Sequence, residues 1–358
     1  MLRGIAALLV VLFHALMYCR KYVGTTSMHE FYEFESLGAV GVDIFFIVSG
    51  FIMVYVSYEK FGVKKASIDY LIRRVIRIAP VYWMWTLFYV SLLLLAPSLF
   101  NENQFSITHT IKSLLFIPSE NEFTGSTTPV LGPGWSLNFE MFFYYIFALF
   151  LLFPRNYLIP GLFFLFIGLS AVGYYFQPEN MALQVYTNTL LIEFLFGCFI
   201  GFLYKANVKF NLFTCYFFIV VGLAWLKSSV FYGTPDYLDE NRFITWGIGA
   251  AFFVTGFAFL EKIYTLKSKL LLAIGESSYS IYLTHIFVLP IIAKIWASIH
   301  LNNYLAEEVF VFTASVLSVI FGHLAYKVTE KPVTNFLNTN YRQLKLSKTL
   351  NNRAQSGL

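Results

Sequence analysis

The chain has 358 residues, of which 58% are hydrophobic, 20% aromatic and only 13% charged, with a formal net charge of +5. Soluble domains use roughly 25% charged residues, so this composition, with a mean hydropathy of +0.66, excludes a water-soluble globular enzyme and indicates a membrane protein. Apolar windows of about 20 residues recur along nearly the whole length, which leaves no stretch for a separate soluble domain.

In chain order, apolar runs bounded by charges predict spans at 4–20, 37–57, 78–99, 134–153, 157–176, 182–204, 211–228, 243–261, 278–298 and 306–326. The fold expected is therefore all-α, a polytopic bundle of about ten transmembrane helices. Residues 1–335 are read as one transmembrane domain and 336–358 as a basic cytoplasmic tail. Arg20 and Lys21 follow the first apolar run where a signal peptide would place small residues, so that run is expected to stay in the mature chain. With the N-terminus inside, 19 of the 25 Lys and Arg face the cytoplasm, and the positive-inside rule puts both termini there. The longer loops on the other side, such as "FYGTPDYLDENRF", carry much of the acid and the turn residues and would rim an outward mouth. Cys19, Cys198 and Cys215 stand far apart in or beside apolar runs, so neither a metal site nor a disulfide is implied.

Ionisable residues inside spans are costly and tend to be functional. On the first span, Arg3 and His14 are eleven residues apart, which places them within roughly 20° of one helical face and about 16 Å apart along the axis. His14 sits roughly 9 Å below the outer interface, and Asp43 and Glu140, each six residues into a span from that side, reach a similar depth. Three ionisable side chains on three helices thus converge on the outer third of the bilayer, as the wall of a polar, outward-opening cavity. Other readings exist for each. His14 also suits a neutral hydrogen-bond bridge between helices, Asp43 and Glu140 suit the favourable end of a helix dipole, and His285 in "SSYSIYLTH" suits helix packing. His29, His109, His300 and His323 fall in loops or near an inner helix end and are read as solvated or interfacial.

On the inner side, "IDYLIRRVIRIAPVYW" sets Arg74 and Arg77 three residues apart, on one helical face just before Pro80. Two guanidinium forks at this spacing can clamp phosphate oxygens; anchoring to anionic lipid is the plainer use. Trp135 and Tyr144 lie near the outer mouth, where aromatic faces suit sugar rings and equally an interfacial belt.

The chain resembles the membrane-bound acyltransferase family 3 over nearly its whole length. The resemblance rests on Arg3 and His14 at their ten-residue separation, on "GVDIFFIVSGF", on "RRVIR" with Arg74 and Arg77, and on "GPGWSLNFEMFFYY" and "IGESSYSIYLTH". Members of that family acylate, usually acetylate, extracytoplasmic glycans and related acceptors. The chain departs from the pattern in starting only two residues before the arginine. The resemblance implies that His14 is the catalytic base, with Arg3 its partner in the lane and Arg74 and Arg77 the contacts for the acyl donor, acetyl-CoA, with no metal.

These residues together predict an O-acyltransferase of the bacterial cytoplasmic membrane. The nucleotide end of acetyl-CoA would stay at Arg74 and Arg77, its arm would pass Arg3, and an acceptor hydroxyl would lose its proton to His14, assisted by Asp43 or Glu140. Trp135 and Tyr144 would touch the sugar. Ser49 lies about 9 Å deeper than Asp43, which favours direct transfer over an acyl-enzyme. Expected partners are a glycan acceptor, as polysaccharide or lipid-linked sugar, and membrane lipid, with no nucleic acid. The alternative reading is a proton-coupled transporter or flippase of a lipid-linked sugar with His14, Asp43 and Glu140 as its relay; a non-catalytic scaffold is the third.

Overall fold

The computed structural model describes residues 1–23, 35–96, 104–230, 236, 238–264, 268–299 and 306–355. His29 and His300 lie outside them. Among the described residues there is no strand. The helices in order are α1 (Leu2–Tyr22), α2 (Glu35–Ser57), α3 (Lys64–Leu95), α4 (Ile107–Leu114), α5 (Gly134–Phe150), α6 (Leu158–Phe176), α7 (Met181–Tyr186), α8 (Leu191–Lys205), α9 (Leu212–Ser229), α10 (Ile248–Ile263), α11 (Lys269–Ile299), α12 (Ala306–Ala325) and α13 (Lys331–Gln355). Nine helical segments among the described residues are long and apolar enough to cross a membrane. The tenth expected span is α5, a helix of 17 residues, which reaches about 26 Å at 1.5 Å per residue and falls just short of a hydrocarbon core of about 30 Å. Large apolar side chains cover the outside: Phe213 is 78% and Phe312 71% exposed. Such a surface promotes association in water and is at home in lipid. The protein is a multi-pass, all-helical membrane protein.

Several spans differ from their sequence-predicted bounds, α11 beginning nine residues before 278, and three of the differences have a local reason. Helix α3 runs unbroken for 32 residues through Pro80, about 48 Å, longer than a hydrocarbon core of about 30 Å, with Arg73, Arg74 and Arg77 in its N-terminal half. Pro80 removes one hydrogen bond without ending the helix, as membrane helices tolerate. The expected span 182–204 is split into α7 and α8 by a turn at 187–190, where the Asn188 amide donates to Leu238 O at 2.9 Å and the Thr189 hydroxyl to Glu240 O at 2.7 Å. The last span continues past 326 through a π turn, Tyr326–Glu330, into α13. Most of the expected tail is therefore helical.

Helix α1 packs between α2 and α11, and α2 packs on α8. The α2–α8 contact is backbone to backbone: a Cβ on Gly50 would stand 2.2 Å from Phe194 O, and one on Gly197 would stand 2.0 Å from Ile47 O. Small residues permit this approach, which dispersion alone then rewards. Phe46 and Phe143 both stack on Phe194, with centroids 4.6 and 4.5 Å away, and so tie α2, α5 and α8 into one core.

Candidate active site

Arg3 and His14 both face α11. The Arg3 Nε donates to Ser278 Oγ at 3.3 Å, and its guanidinium lies 5.8 Å from the centre of the Phe45 ring. Eleven residues further along α1, the His14 ring lies 4.8 Å from that of His285, centroid to centroid. His14 Nδ1 is 2.9 Å from Val10 O and His285 Nδ1 is 3.2 Å from Ile281 O. A carbonyl oxygen only accepts, so each Nδ1 carries the proton and each Nε2 keeps a lone pair. That leaves Nε2 of His14 as the basic atom, and Nε2 of His285, fully buried, has no hydrogen-bond partner among the described residues.

Glu140 belongs to a second group. It accepts from Ser49 Oγ at 3.0 Å and from the Tyr144 hydroxyl, and those two hydroxyls are 3.2 Å apart. Spacing i, i+4 on α5 brings Tyr144 over Glu140, and α2 supplies Ser49. Tyr144, expected at the mouth against a sugar ring, is 3% exposed and spends its hydroxyl on this network. Arg3 lies within electrostatic reach of Glu140, Tyr144, Arg77 and Glu330.

Asp43 does not face His14. Its carboxylate, fully buried, is held in a bidentate pair by Arg242, Nε to Oδ1 at 3.0 Å and Nη2 to Oδ2 at 2.8 Å, while the same Nη2 reaches Ala39 O at 3.3 Å. The Arg242 guanidinium lies 5.6 Å from the Trp135 ring centre and 4.8 Å from that of Trp246, so Trp135 is a wall of this pair. The expectation that Asp43 orients His14 is replaced by an ion pair between α2 and the residue just before the Phe243–Gly247 π turn. By span order Arg242 falls at the end of the outer loop "FYGTPDYLDENRF"; its legible clue is a lone arginine at the mouth of a span, facing an acid buried in another.

At the other end, Arg77 pairs with Glu330, whose Oε2 accepts from Ser280 at 2.5 Å. Glu330 is fully buried and closes the π turn that links α12 to α13. The sequence offered it only as part of "VTEKP", without a partner. Arg74 and Arg77 open on a cleft of about 550 Å³ between α3 and α13, a size ordinary for small-molecule sites. A guanidinium has five N–H donors, so pairing with Glu330 leaves Arg77 able to bind an anion as well. The cleft fits the phosphates of a nucleotide-bearing donor: Arg74 Nε is buried with no partner among the described residues.

The two ends share one face of α1. Basic residues gather at the Arg3 end, and the paired imidazoles lie about 16 Å further along. Such a layout suits a reaction in which an anionic carrier is held at one place and a proton is taken at another.

A family model described as "Acyltransferase domain" (Acyl_transf_3) matches residues 1–327. The chain is 33% identical over 307 residues to the exopolysaccharide production protein ExoZ of Rhizobium meliloti, covering 83% of this chain and 90% of that protein. It is 25% identical over 348 residues to the O-acetyltransferase OatA of Staphylococcus aureus, covering 87% of this chain and 55% of OatA. A putative O-acetyltransferase of S. aureus, SACOL0978, is 24% identical over 331 residues, 82% of this chain and 52% of that protein. The chain thus spans about half the length of the two staphylococcal relatives and most of ExoZ. No solved structure matches. With a family model covering nearly all of its helices and O-acetyltransferases among its relatives, the chain belongs to the acyltransferase 3 family of membrane acyltransferases.

Proposed function

We propose that the protein is an O-acetyltransferase of a bacterial cytoplasmic membrane that moves an acetyl group from cytoplasmic acetyl-CoA to a hydroxyl of an extracytoplasmic glycan. The observation that carries this reading is the common face of Arg3 and His14, with the Arg74–Arg77 cleft at one end and a lone-pair-bearing imidazole at the other. The name of ExoZ supports a glycan as the acceptor class, and that of OatA supports O-acetyl transfer. Both termini then lie in the cytoplasm, as the lysine and arginine count favours.

Arg74 and Arg77 bind the phosphates, which cannot enter hydrocarbon. Arg3, held by Ser278, lines the passage through which the arm reaches toward His14, a distance close to half of a bilayer core of about 30 Å. The donor supplies a thioester carbonyl. His14 Nε2 takes the proton of the acceptor hydroxyl as its oxygen attacks that carbonyl, the C–S bond breaks, and the proton passes from His14 to the leaving thiolate. Val10 O fixes the tautomer needed for this. Direct transfer is supported by Ser49 being buried and hydrogen-bonded to Glu140.

The test is the acetyl content of the cell-surface glycan, read by mass spectrometry in cells lacking the gene and carrying wild type, His14→Ala or Arg74→Ala/Arg77→Ala. Restoration by wild type alone supports the reading. Full restoration by His14→Ala refutes it.

A further inference from the structure

Helix α13 begins after the last residue matched by the acyltransferase model, 327, yet it is fastened to α3 at both ends of the basic cleft. At one end the Tyr341 hydroxyl donates to Asp69 Oδ1 at 2.6 Å and Lys345 pairs with the same carboxylate. At the other, Arg77 pairs with Glu330. Between these fasteners lies the cleft, with Arg73, Arg74 and Arg77 on the α3 side and Asn335, Asn338 and Arg342 on the α13 side. The two nearby carboxylates, Asp69 and Glu330, are both engaged by cations, so four guanidinium groups line a space with no free acid among them.

Residues 331–358 contain five Lys and Arg and no Asp or Glu. Thr334, Asn338 and Arg342 recur at four-residue spacing and therefore share one face of α13. On it the Asn338 Nδ2 donates to Thr334 O at 2.8 Å, which leaves its amide oxygen as an acceptor. Thr334 Oγ1, like Arg74 Nε, is buried with no hydrogen-bond partner among the described residues. Guanidinium forks recognise phosphate oxygens; carboxamides and hydroxyls recognise the donor and acceptor edges of a base or a ribose. A lone phosphate needs the first set only. A nucleotide with several phosphates uses both.

We propose that α13 is the second wall of the donor site, with Arg342 and Asn338 holding the 3′-phosphorylated adenosine end of acyl-CoA opposite Arg74 and Arg77. This rests on the acyl-CoA reading above and extends it to a helix outside the matched family region. Arg342 is exposed, so its replacement removes a charge and leaves the packing alone.

The experiment is direct binding of CoA and of 3′-dephospho-CoA to the purified full-length protein in detergent, for wild type, Arg342→Ala, Arg342→Lys, Asn338→Ala and Arg74→Ala/Arg77→Ala, with melting temperatures measured alongside. Losing one charge-assisted contact weakens binding at least about tenfold. Arg342→Ala should therefore bind CoA at least about tenfold more weakly than wild type, its affinity approaching that of dephospho-CoA, and Arg342→Lys should recover part of the loss. If Arg342→Ala and Asn338→Ala bind CoA as wild type does while Arg74→Ala/Arg77→Ala does not, α13 is no part of the site and only this proposal fails. If wild type binds no CoA, the acyl-CoA reading itself fails. A parallel arm measures retention of phosphatidylglycerol: loss of that lipid by Arg342→Ala with CoA binding unchanged makes the cleft a headgroup site and overturns the proposal.

Discussion

The imidazoles of His14 and His285 lie 4.8 Å apart, centroid to centroid, and each gives its Nδ1 proton to a carbonyl one turn back on its own helix. The pair lies at one end of the α1 face whose other end carries Arg3. When His14 gains a proton, the neighbouring neutral ring is a polarisable partner 4.8 Å away. His285→Ala should lower kcat and leave the donor KM unchanged, whereas His14→Ala should cost the roughly 10²- to 10⁴-fold typical of a lost general base. Steady-state kinetics on both variants decides this. Equal and complete loss in both, with unaltered melting, would assign the proton to the pair and not to His14.

The Asp43–Arg242 pair is bidentate and buried on both sides. Removing one partner leaves an uncompensated charge, which costs about 3–5 kcal/mol in buried pairs. Asp43→Ala and Arg242→Ala should each lower the melting temperature in detergent sharply, and the double replacement should recover part of the loss. An Asp43→Ala protein that melts as wild type but cannot turn over would return Asp43 to the chemistry.

Ser49 tests the direct-transfer mechanism. Ser49→Ala deletes one donor to Glu140, worth about 1 kcal/mol of stability, and should retain turnover. Mass spectrometry of protein quenched during turnover should find no acetyl adduct on Ser49. Such an adduct, together with inactivity of the alanine variant, contradicts the mechanism.

Outside the membrane, His109 staples the loop that follows α3. Its Nδ1 is 3.1 Å from Ser119 Oγ and its Nε2 is 3.1 Å from Thr128 O. Burial lowers its pKa, and Lys112 adds to the shift, against the opposing bond to Thr128. The unfolded loop, with an ordinary pKa of about 6.5, binds a proton more readily than the folded one. The stabilisation is therefore complete above about pH 6.5 and declines as pH falls below it. Hydrogen exchange across 104–130 should quicken below that pH in wild type, and His109→Gln should remove the dependence.

The sequence made the helices legible because apolar length is nearly the whole signal in a membrane chain: ten runs and, among the described residues, nine segments of spanning length and one of 17 residues. The Arg3–His14 face and the Arg74–Arg77 pair were legible for the same reason, since each lies on one helix and helical spacing fixes it. Pairings between helices were not. Depth placed Asp43 beside His14, but depth says nothing of rotation about the helix axis, and the carboxylate turns to Arg242. Tyr144 was read by its distance from the mouth, whereas its i, i+4 relation to Glu140 decides its contacts. The α13 helix passed for a tail because it is polar; its docking depends on Asp69, 272 residues from Tyr341.

Transfer across the membrane is the central claim. The measurement that tests it most directly uses proteoliposomes with acetyl-labelled CoA on the face of Arg74 and Arg77 and glycan acceptor on the opposite face, comparing wild type with His14→Ala. Labelled O-acetyl on the far-side glycan with wild type, and none with His14→Ala, is the predicted result. Label that stays on the donor side, or transfer that proceeds without His14, would contradict it.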